Sequence, residues 1–234
     1  ITQLRSLDSM RRDFISNLSH ELRTPVSVIR ANSETLIDGA IEDKIQARIF
    51  AKAILHNAER LSDMVSSLLD LSRIEYGELK LNFEEINLDL FIQNYIQSVA
   101  NLSKKKEINI IYKPEHKGTV NADLQAIERI MNNLIDNAIK YSENGSDITI
   151  LTSNESDNYI KVMVKDTGEG ISDEDKNHIF SRFYRTASAR ATDNQGSGLG
   201  LAIVKHLVNN LNGEVGIESK PQEGSIFWFT LPNY

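Results

Sequence analysis

The sequence predicts an α+β protein in two parts: an N-terminal helical hairpin that pairs with a second copy into a four-helix bundle, and a C-terminal α/β sandwich with helices on one face of a mixed sheet. Two observations carry that expectation. Residues 1 to about 75 keep helical periodicity, with one proline, Pro25, and one break at Asp38-Gly39-Ala40. Beyond Glu75-Tyr76-Gly77-Glu78, short apolar runs and amphipathic stretches replace the long helices. The 234 residues leave room for two modest domains, here 1–77 and 84–234, joined by a linker at 76–83.

In the second long helix, Ala47, Ile54, Leu61 and Leu68 repeat every seven residues. Phe50, Asn57, Met64 and Leu71 repeat three residues later. This is a coiled-coil a/d seam with one polar interruption, Asn57. Two helices joined by a short turn bury such a seam poorly alone, so a homodimer is expected; packing against the rest of the chain is the alternative. In the C-terminal part, helices are expected over Leu88 to Lys104, Leu124 to Tyr141 and Ser197 to Leu211. Strands are expected over Ile108 to Tyr112, Ile148 to Thr152 and Tyr159 to Val164, with a closing hairpin of Glu214 to Glu218 and Ser225 to Leu231.

A net charge of -7 weighs against nucleic acid, whose phosphates a broadly acidic surface repels. The absence of cysteine excludes disulfides and thiolate metal sites and suits a cytosolic protein. No apolar run approaches the roughly 20 residues that span a bilayer as a helix, and no secretory signal opens the chain. The first residue is Ile1 and not Met, so the sequence reads as a piece of something longer.

On a helical wheel, Phe14, Ile15, Leu18 and Leu22 gather on one side, with His20 opposite them and Thr24 one turn beyond it on the same face. His20 therefore points away from the apolar seam; an idle surface histidine would do the same. Neutral imidazole is a good nucleophile near pH 7. Attack through one nitrogen leaves a proton on the other, and the adjacent Glu21 can accept it. Thr24 can bond back to a helix carbonyl ahead of Pro25, which is expected to kink the helix.

The helix at Leu124 to Tyr141 shows a core face of Leu124, Ile127, Met131, Leu134 and Ala138, and on nearly the opposite side Asn133, Asn137 and Lys140. Asparagine is a poor helix former away from helix ends, so two with a lysine on one face are unusual for a merely solvated surface. Neutral oxygens suit Mg²⁺ and a lysine suits phosphate. Asp166-Thr167-Gly168-Glu169-Gly170 makes a tight turn after a strand, where backbone can approach a ligand closely. Gly196-Ser197-Gly198-Leu199-Gly200 precedes a helix and offers free N–H groups to phosphate. It is not a dinucleotide fingerprint, which needs a glycine where Leu201 stands.

Phe14 to Pro25 closely resembles the H box of the sensor histidine kinases of two-component systems, matching F-x-x-x-x-S-H-E-L-R-T-P at every fixed position. Asn133 to Ser142 resembles the N box of that family, Asp166 to Gly170 the G1 box, Ile179 to Arg185 the F box and Gly196 to Leu201 the G2 box. The C-terminal Gly224 to Pro232 resembles its last strand. The resemblance implies that His20 takes the γ-phosphoryl group of ATP, that Glu21 is the general base, and that Thr24 orients water when the partner is dephosphorylated. It implies Mg²⁺ on Asn137 with Asn133 in support, phosphate contacts from Lys140 and Arg185 (with Arg182 a weaker candidate), and Tyr141 beside the base. Asp166 would hold the adenine amino group, with Gly168, Gly170, Gly196, Gly198, Leu199 and Gly200 shaping the loops. Thr186 to Gln195 would be a mobile ATP lid. The implied fold for 84–234 is the Bergerat (GHKL) sandwich that gyrase-type ATPases share. The implied partners are a second copy and a response regulator, in a protein anchored to a membrane with this part in the cytoplasm. A gyrase-like or chaperone-like ATPase, a dimeric scaffold without activity, and a protein acting mainly as a phosphatase are the rivals.

Overall fold

Two long helices open the chain, α1 (Thr2–Ile37) and α2 (Lys44–Glu75), with a 3-10 turn at Ala40–Glu42 between them. The computed structural model describes residues 2–75, 77–104, 106–115, 118–156, 158–192 and 196–233. The reversal is made at Gly39, whose φ of 121° is a conformation glycine adopts freely. Asp43 then starts α2: its Oδ1 accepts from the N–H groups of Ile45 and Gln46 at 2.8 and 3.2 Å. α1 runs on through Pro25, which is buried; the missing N–H removes a bond from the ladder without ending the helix.

None of the seam residues of α2 is fully exposed in this one chain: Met64 and Leu71 are buried toward the sandwich, and Ala47, Phe50, Ile54, Asn57, Leu61 and Leu68 are half-buried along α1. Apolar residues one place further round stay bare. Leu55, Val65 and Leu69 on α2, with Ile45 near its start and Ile15, Val26 and Ile37 on α1, are 47% to 81% exposed. Ile15 was expected on the covered side with Phe14, Leu18 and Leu22. The single hairpin leaves it open, because α1 presents two apolar flanks and α2 covers only one.

The rest of the chain supplies β1 (Glu84–Asn87), α3 (Leu88–Lys104), β2 (Asn109–Pro114), β3 (Thr119–Ala122), α4 (Leu124–Tyr141), β4 (Asp147–Ser156), β5 (Tyr159–Lys165), α5 (Asp173–Lys176), α6 (Ala187–Thr192), α7 (Gly200–Asn210), β6 (Val215–Ser219) and β7 (Ser225–Pro232). Five strands lie in the order β2-β4-β5-β7-β6. Only β2 and β4 run parallel; the other pairs are antiparallel. β1 and β3 form a separate antiparallel pair. Period-2 alternation places Ile148, Ile150, Ile160, Val162, Val164, Phe227, Phe229 and Leu231 on the covered face, all buried. Register stacks them: Ile150 opposes Val164, Val162 opposes Phe229, and Ile160 opposes Leu231. α3, α4 and α7 close that face, with Ile127, Ile130, Met131, Leu134 and Ile135 of α4 at the centre.

The elements depart from the sequence expectation in physical detail. Leu124, expected in the core, lies in the first turn of α4 and is 38% exposed, while Ile130 and Ile135 join the buried face. α7 begins at Gly200 and not Ser197, because the glycine run stays non-helical. β1 and β3 were not legible; each has four residues and buries only Ile86, or Val120 and Ala122.

The hairpin docks on the sandwich. α2 packs against α7 and buries Met64, Leu71 and Ile74 to 1%, 2% and 5% exposure in the common core. Asp70 of α2 forms an ion pair with Arg129 of α4. From α1, the Phe14 ring lies 5.6 Å from that of Phe183, and the Arg182 guanidinium sits 5.4 Å above it.

Candidate active site

A cavity of about 340 Å³ opens between α4, the turn after β5, the segment around α6 and the start of α7. From α4 come Asn133, Asn137, Lys140 and Tyr141, the polar stripe on the side away from the core. Asn133 donates from Nδ2 to the Arg129 carbonyl one turn back, at 2.8 Å. Its Oδ1 thereby faces Gly200, where an added Cβ would come within 2.6 Å of it. With glycine there, the first turn of α7 sits against α4 while the Asn133 side chain keeps its place; a larger residue would require that side chain to shift. The Lys140 ammonium lies 5.2 Å from the centre of the Tyr141 ring.

The turn after β5 brings Asp166, Gly168 and Gly170 to the same cavity. Asp166 is 4% exposed. Its Oδ1 accepts from the N–H of Gly168 at 2.9 Å and of Ser225 at 3.1 Å. Burial pushes its carboxyl above the ordinary carboxylate range, and the two N–H bonds pull the other way. A Cβ on Gly168 would stand 2.6 Å from the Tyr141 carbonyl, so the turn rests directly on the end of α4. Gly170, at φ 70°, passes so close to the Lys220 carbonyl that a Cβ would meet it at 1.9 Å.

Arg185 lines the cavity beyond this turn and donates to the Ala189 carbonyl. Within the expected lid, Ala187–Thr192 forms the short helix α6, whose Ala189 N–H is held by Thr186 Oγ1 at 3.1 Å. Residues 193–195 of that lid lie outside the described residues. Gly196, Gly198 and Gly200 line the cavity; Leu199 does not. The Leu199 side chain is fully buried in the core, and its N–H donates to Ser197 Oγ at 3.3 Å. Arg182 faces Phe14 of α1 and not the cavity.

The cavity has further walls that the sequence did not single out. Asp136 comes from the same face of α4, three residues after Asn133, a spacing that could have exposed it. Ser67 comes from α2, and no local signal could place it there. Ile171, Ile179 and Phe227 supply apolar floor.

His20 is exposed on α1 and is not among the residues lining the cavity. Glu21 beside it is half-buried and faces Arg60 of α2 at 3.4 Å. The Thr24 hydroxyl donates back to the His20 carbonyl at 3.4 Å. The described residues contain no group of three or more His, Cys, Asp or Glu that could hold a metal ion. No helix among them is long and apolar enough to cross a membrane.

A mixed sheet with its helices on one face, and a cavity walled by a helix, a glycine turn and a helix N-terminus, defines a nucleotide-binding ATPase-type domain, here joined to a helical hairpin. Residues 122–234 match the family model described as histidine kinase-, DNA gyrase B-, and HSP90-like ATPase, and residues 10–77 match the His Kinase A (phospho-acceptor) domain. The chain belongs to the sensor histidine kinase family. It is 37% identical over 226 residues to the sensor-like histidine kinase SenX3 of Mycobacterium tuberculosis, covering 97% of this chain and 55% of that protein. It is 35% identical over 234 residues to the sensor histidine kinase WalK of Bacillus subtilis, covering 99% of this chain and 38% of WalK. Among solved structures, the Acinetobacter baumannii histidine kinase AdeS matches with a TM-score of 0.74 at 26% identity, covering 91% of this chain and 97% of that one. Histidine kinase ThkA, solved with response regulator protein TrrA, shares the fold at a TM-score of 0.79 and 24% identity, covering 98% of this chain and 64% of that one. The chain thus spans about half the length of the curated relatives it matches, or less.

Proposed function

We propose that this chain is the catalytic core of a sensor histidine kinase, a protein-histidine kinase that uses Mg²⁺-ATP to phosphorylate its own His20 and passes the phosphoryl group to an aspartate of a response regulator. The observation that carries this reading is convergence. Four separated stretches, α4, the 166–170 turn, the segment from Tyr184 to Ala189 and the glycine run from Gly196, line one cavity beside a hairpin bearing an exposed histidine. We assign residues 1–77 to dimerization and phosphotransfer and 84–234 to ATP binding, with 76–83 as the hinge. The bare apolar flank of the hairpin supports a homodimer as the working unit. We assign the whole protein to a membrane, with this core on the cytoplasmic side. That rests on family membership.

In this reading the Asp166 carboxylate accepts from the adenine amino group, and Tyr141 packs on the base. Lys140, Arg185 and the N–H groups of the Gly196–Gly200 run hold the phosphates. Asn137, with Asn133 beside it, would hold Mg²⁺; neutral oxygens suit the ion once phosphate oxygens complete its shell, and when bound it neutralises phosphate charge. One imidazole nitrogen of His20 forms a bond to the γ-phosphorus as the bond to the β,γ-bridging oxygen breaks. The bonding pair leaves on ADP, and Glu21 takes the proton from the other nitrogen. The ATP domain has to leave its docking on α2 and Phe14 for this. A second activity, removal of the phosphoryl group from the regulator, is assigned to Thr24 orienting water. The regulator is a partner of the kind with which ThkA was solved.

The test is incubation with γ-labelled ATP and Mg²⁺ beside a His20→Gln variant. Acid-labile label on the native chain and none on the variant is the expected result. A folded chain that binds ATP and takes no label would overturn the autokinase reading.

A further inference from the structure

Lys106 stands in the turn between α3 and β2, outside every motif discussed so far. Its ammonium donates to the carbonyls of Ile139 and Lys140, both at 2.9 Å, and to that of Ser142 at 3.4 Å. An ammonium has three N–H groups, and all three have acceptors here. These carbonyls belong to the end of α4, where the last residues of a helix lack partners. Within the helix the Ser142 N–H already takes the Ala138 carbonyl at 3.1 Å. Lys106 then takes the next two, and a positive charge at this end also matches the helix dipole.

The turn is built to bring Lys106 there. Glu107 adopts φ 56°, a left-handed conformation uncommon for a side chain of its kind. The Ile108 N–H returns to the Ser103 carbonyl at 3.0 Å, and the Gly145 N–H donates to the Lys106 carbonyl itself at 3.0 Å. Lys106 therefore ties α3, the end of α4 and the start of β4 together. Of the three residues whose carbonyls it grips, Lys140 faces the nucleotide cavity, and Tyr141, between Lys140 and Ser142, faces it too. Gly168 of the Asp166 turn rests against the Tyr141 carbonyl.

We infer that Lys106 is a positioning residue for the nucleotide site: it fixes the C-terminal end of α4, and through it Lys140, Tyr141 and the Asp166 turn, without touching nucleotide. This deepens the proposed function and rests on it. A lysine serving only to stabilise the fold would leave ATP affinity unchanged in any variant that still folds.

The test compares the native chain with Lys106→Ala and Lys106→Arg, by binding of a fluorescent ATP analogue, steady-state labelling from ATP and thermal unfolding. Lys106→Ala is expected to weaken analogue binding and raise KM for ATP about tenfold, with kcat at saturating ATP within about twofold, a loss on the scale of one charge-assisted contact. Lys106→Arg keeps charge and donors and is expected to recover most of the affinity. If Lys106→Ala lowers Tm while binding and KM stay native, the role is structural and the inference is overturned. Equal losses in both variants, or a fall in kcat alone, overturn it too. A native chain that binds no analogue overturns the functional reading and this inference together; native binding with an unmoved variant overturns the inference alone. Should Lys106→Ala fail to fold, Lys106→Met and Lys106→Gln, which keep most of the side chain's length without its charge, are read by the same criteria.

Discussion

At Asp166 the proposed role in binding and the energetics of folding oppose each other. Its carboxyl is buried, and burial raises its pKa above that of the unfolded chain. The native state therefore holds its proton more tightly than the unfolded one. Its contribution to stability is fully present below the unfolded pKa, is lost as pH rises from there through the folded pKa, and is regained as pH falls back through that window. Asparagine keeps an oxygen for the N–H groups of Gly168 and Ser225 and removes the charge. Asp166→Asn is thus expected to leave Tm near neutral pH unchanged or raised, while nucleotide affinity falls about 10- to 100-fold, the range for a charged hydrogen bond. Thermal shift with and without an ATP analogue reads both. A fall in Tm with affinity intact would reverse the assignment. Asp166, Asn133, Asn137 and Lys140 were legible because their chemistry is written in short local patterns. Ser67 was not, because it reaches the cavity only through docking of α2. At Leu199 the pattern does not tell backbone from side chain: the residue stands between glycines that line the cavity, and its side chain is core.

At the scale of elements, α4 is held at both ends by residues from elsewhere in the chain. Asp123 caps its start: Oδ1 accepts from the Ala126 N–H at 2.8 Å, and Oδ2 accepts from the Asn82 N–H in the linker at 2.7 Å. Asp123→Ala is expected to cost about 1–2 kcal/mol in denaturant unfolding, the upper range for a cap, because the linker bond is lost with it. Nucleotide affinity should change less than in Asp166→Asn; a larger change would mean that the linker contact reaches the cavity. Helices with a clear stripe, α3 and α4, matched the sequence expectation at both ends. β4 ran four residues further than expected, to Ser156. Those residues are polar and carry no hydrophobic signal, but Ser153, Asn154 and Ser156 still pair with β5, with a bulge at Glu155. Tertiary pairing there outweighs local composition.

At the scale of the molecule, the docked arrangement keeps the cavity against α2 while His20 lies outside it. The Asp70–Arg129 pair and the Phe14–Phe183 contact hold that arrangement. Arg129→Ala is expected to raise the initial rate of self-labelling about two- to fivefold, since a partly exposed ion pair is worth up to about 1 kcal/mol. The charge swap Asp70→Arg with Arg129→Asp should restore the native rate. A slower rate in Arg129→Ala would mean that the pair assists catalysis. The two-part architecture itself was legible, because a heptad hairpin and a strand-rich remainder have different periods; the docking was not, since neither half encodes the other's surface. The order of the sheet has one more consequence, for birth on the ribosome. β7 is the last strand in the sequence, yet it lies between β5 and β6 and pairs with both. The nascent hairpin can form its local contacts as soon as it emerges. The sandwich must wait, open-edged, until residues 225–232 leave the ribosome, so a translational stall before that point would leave β5 and β6 without the strand that pairs with both.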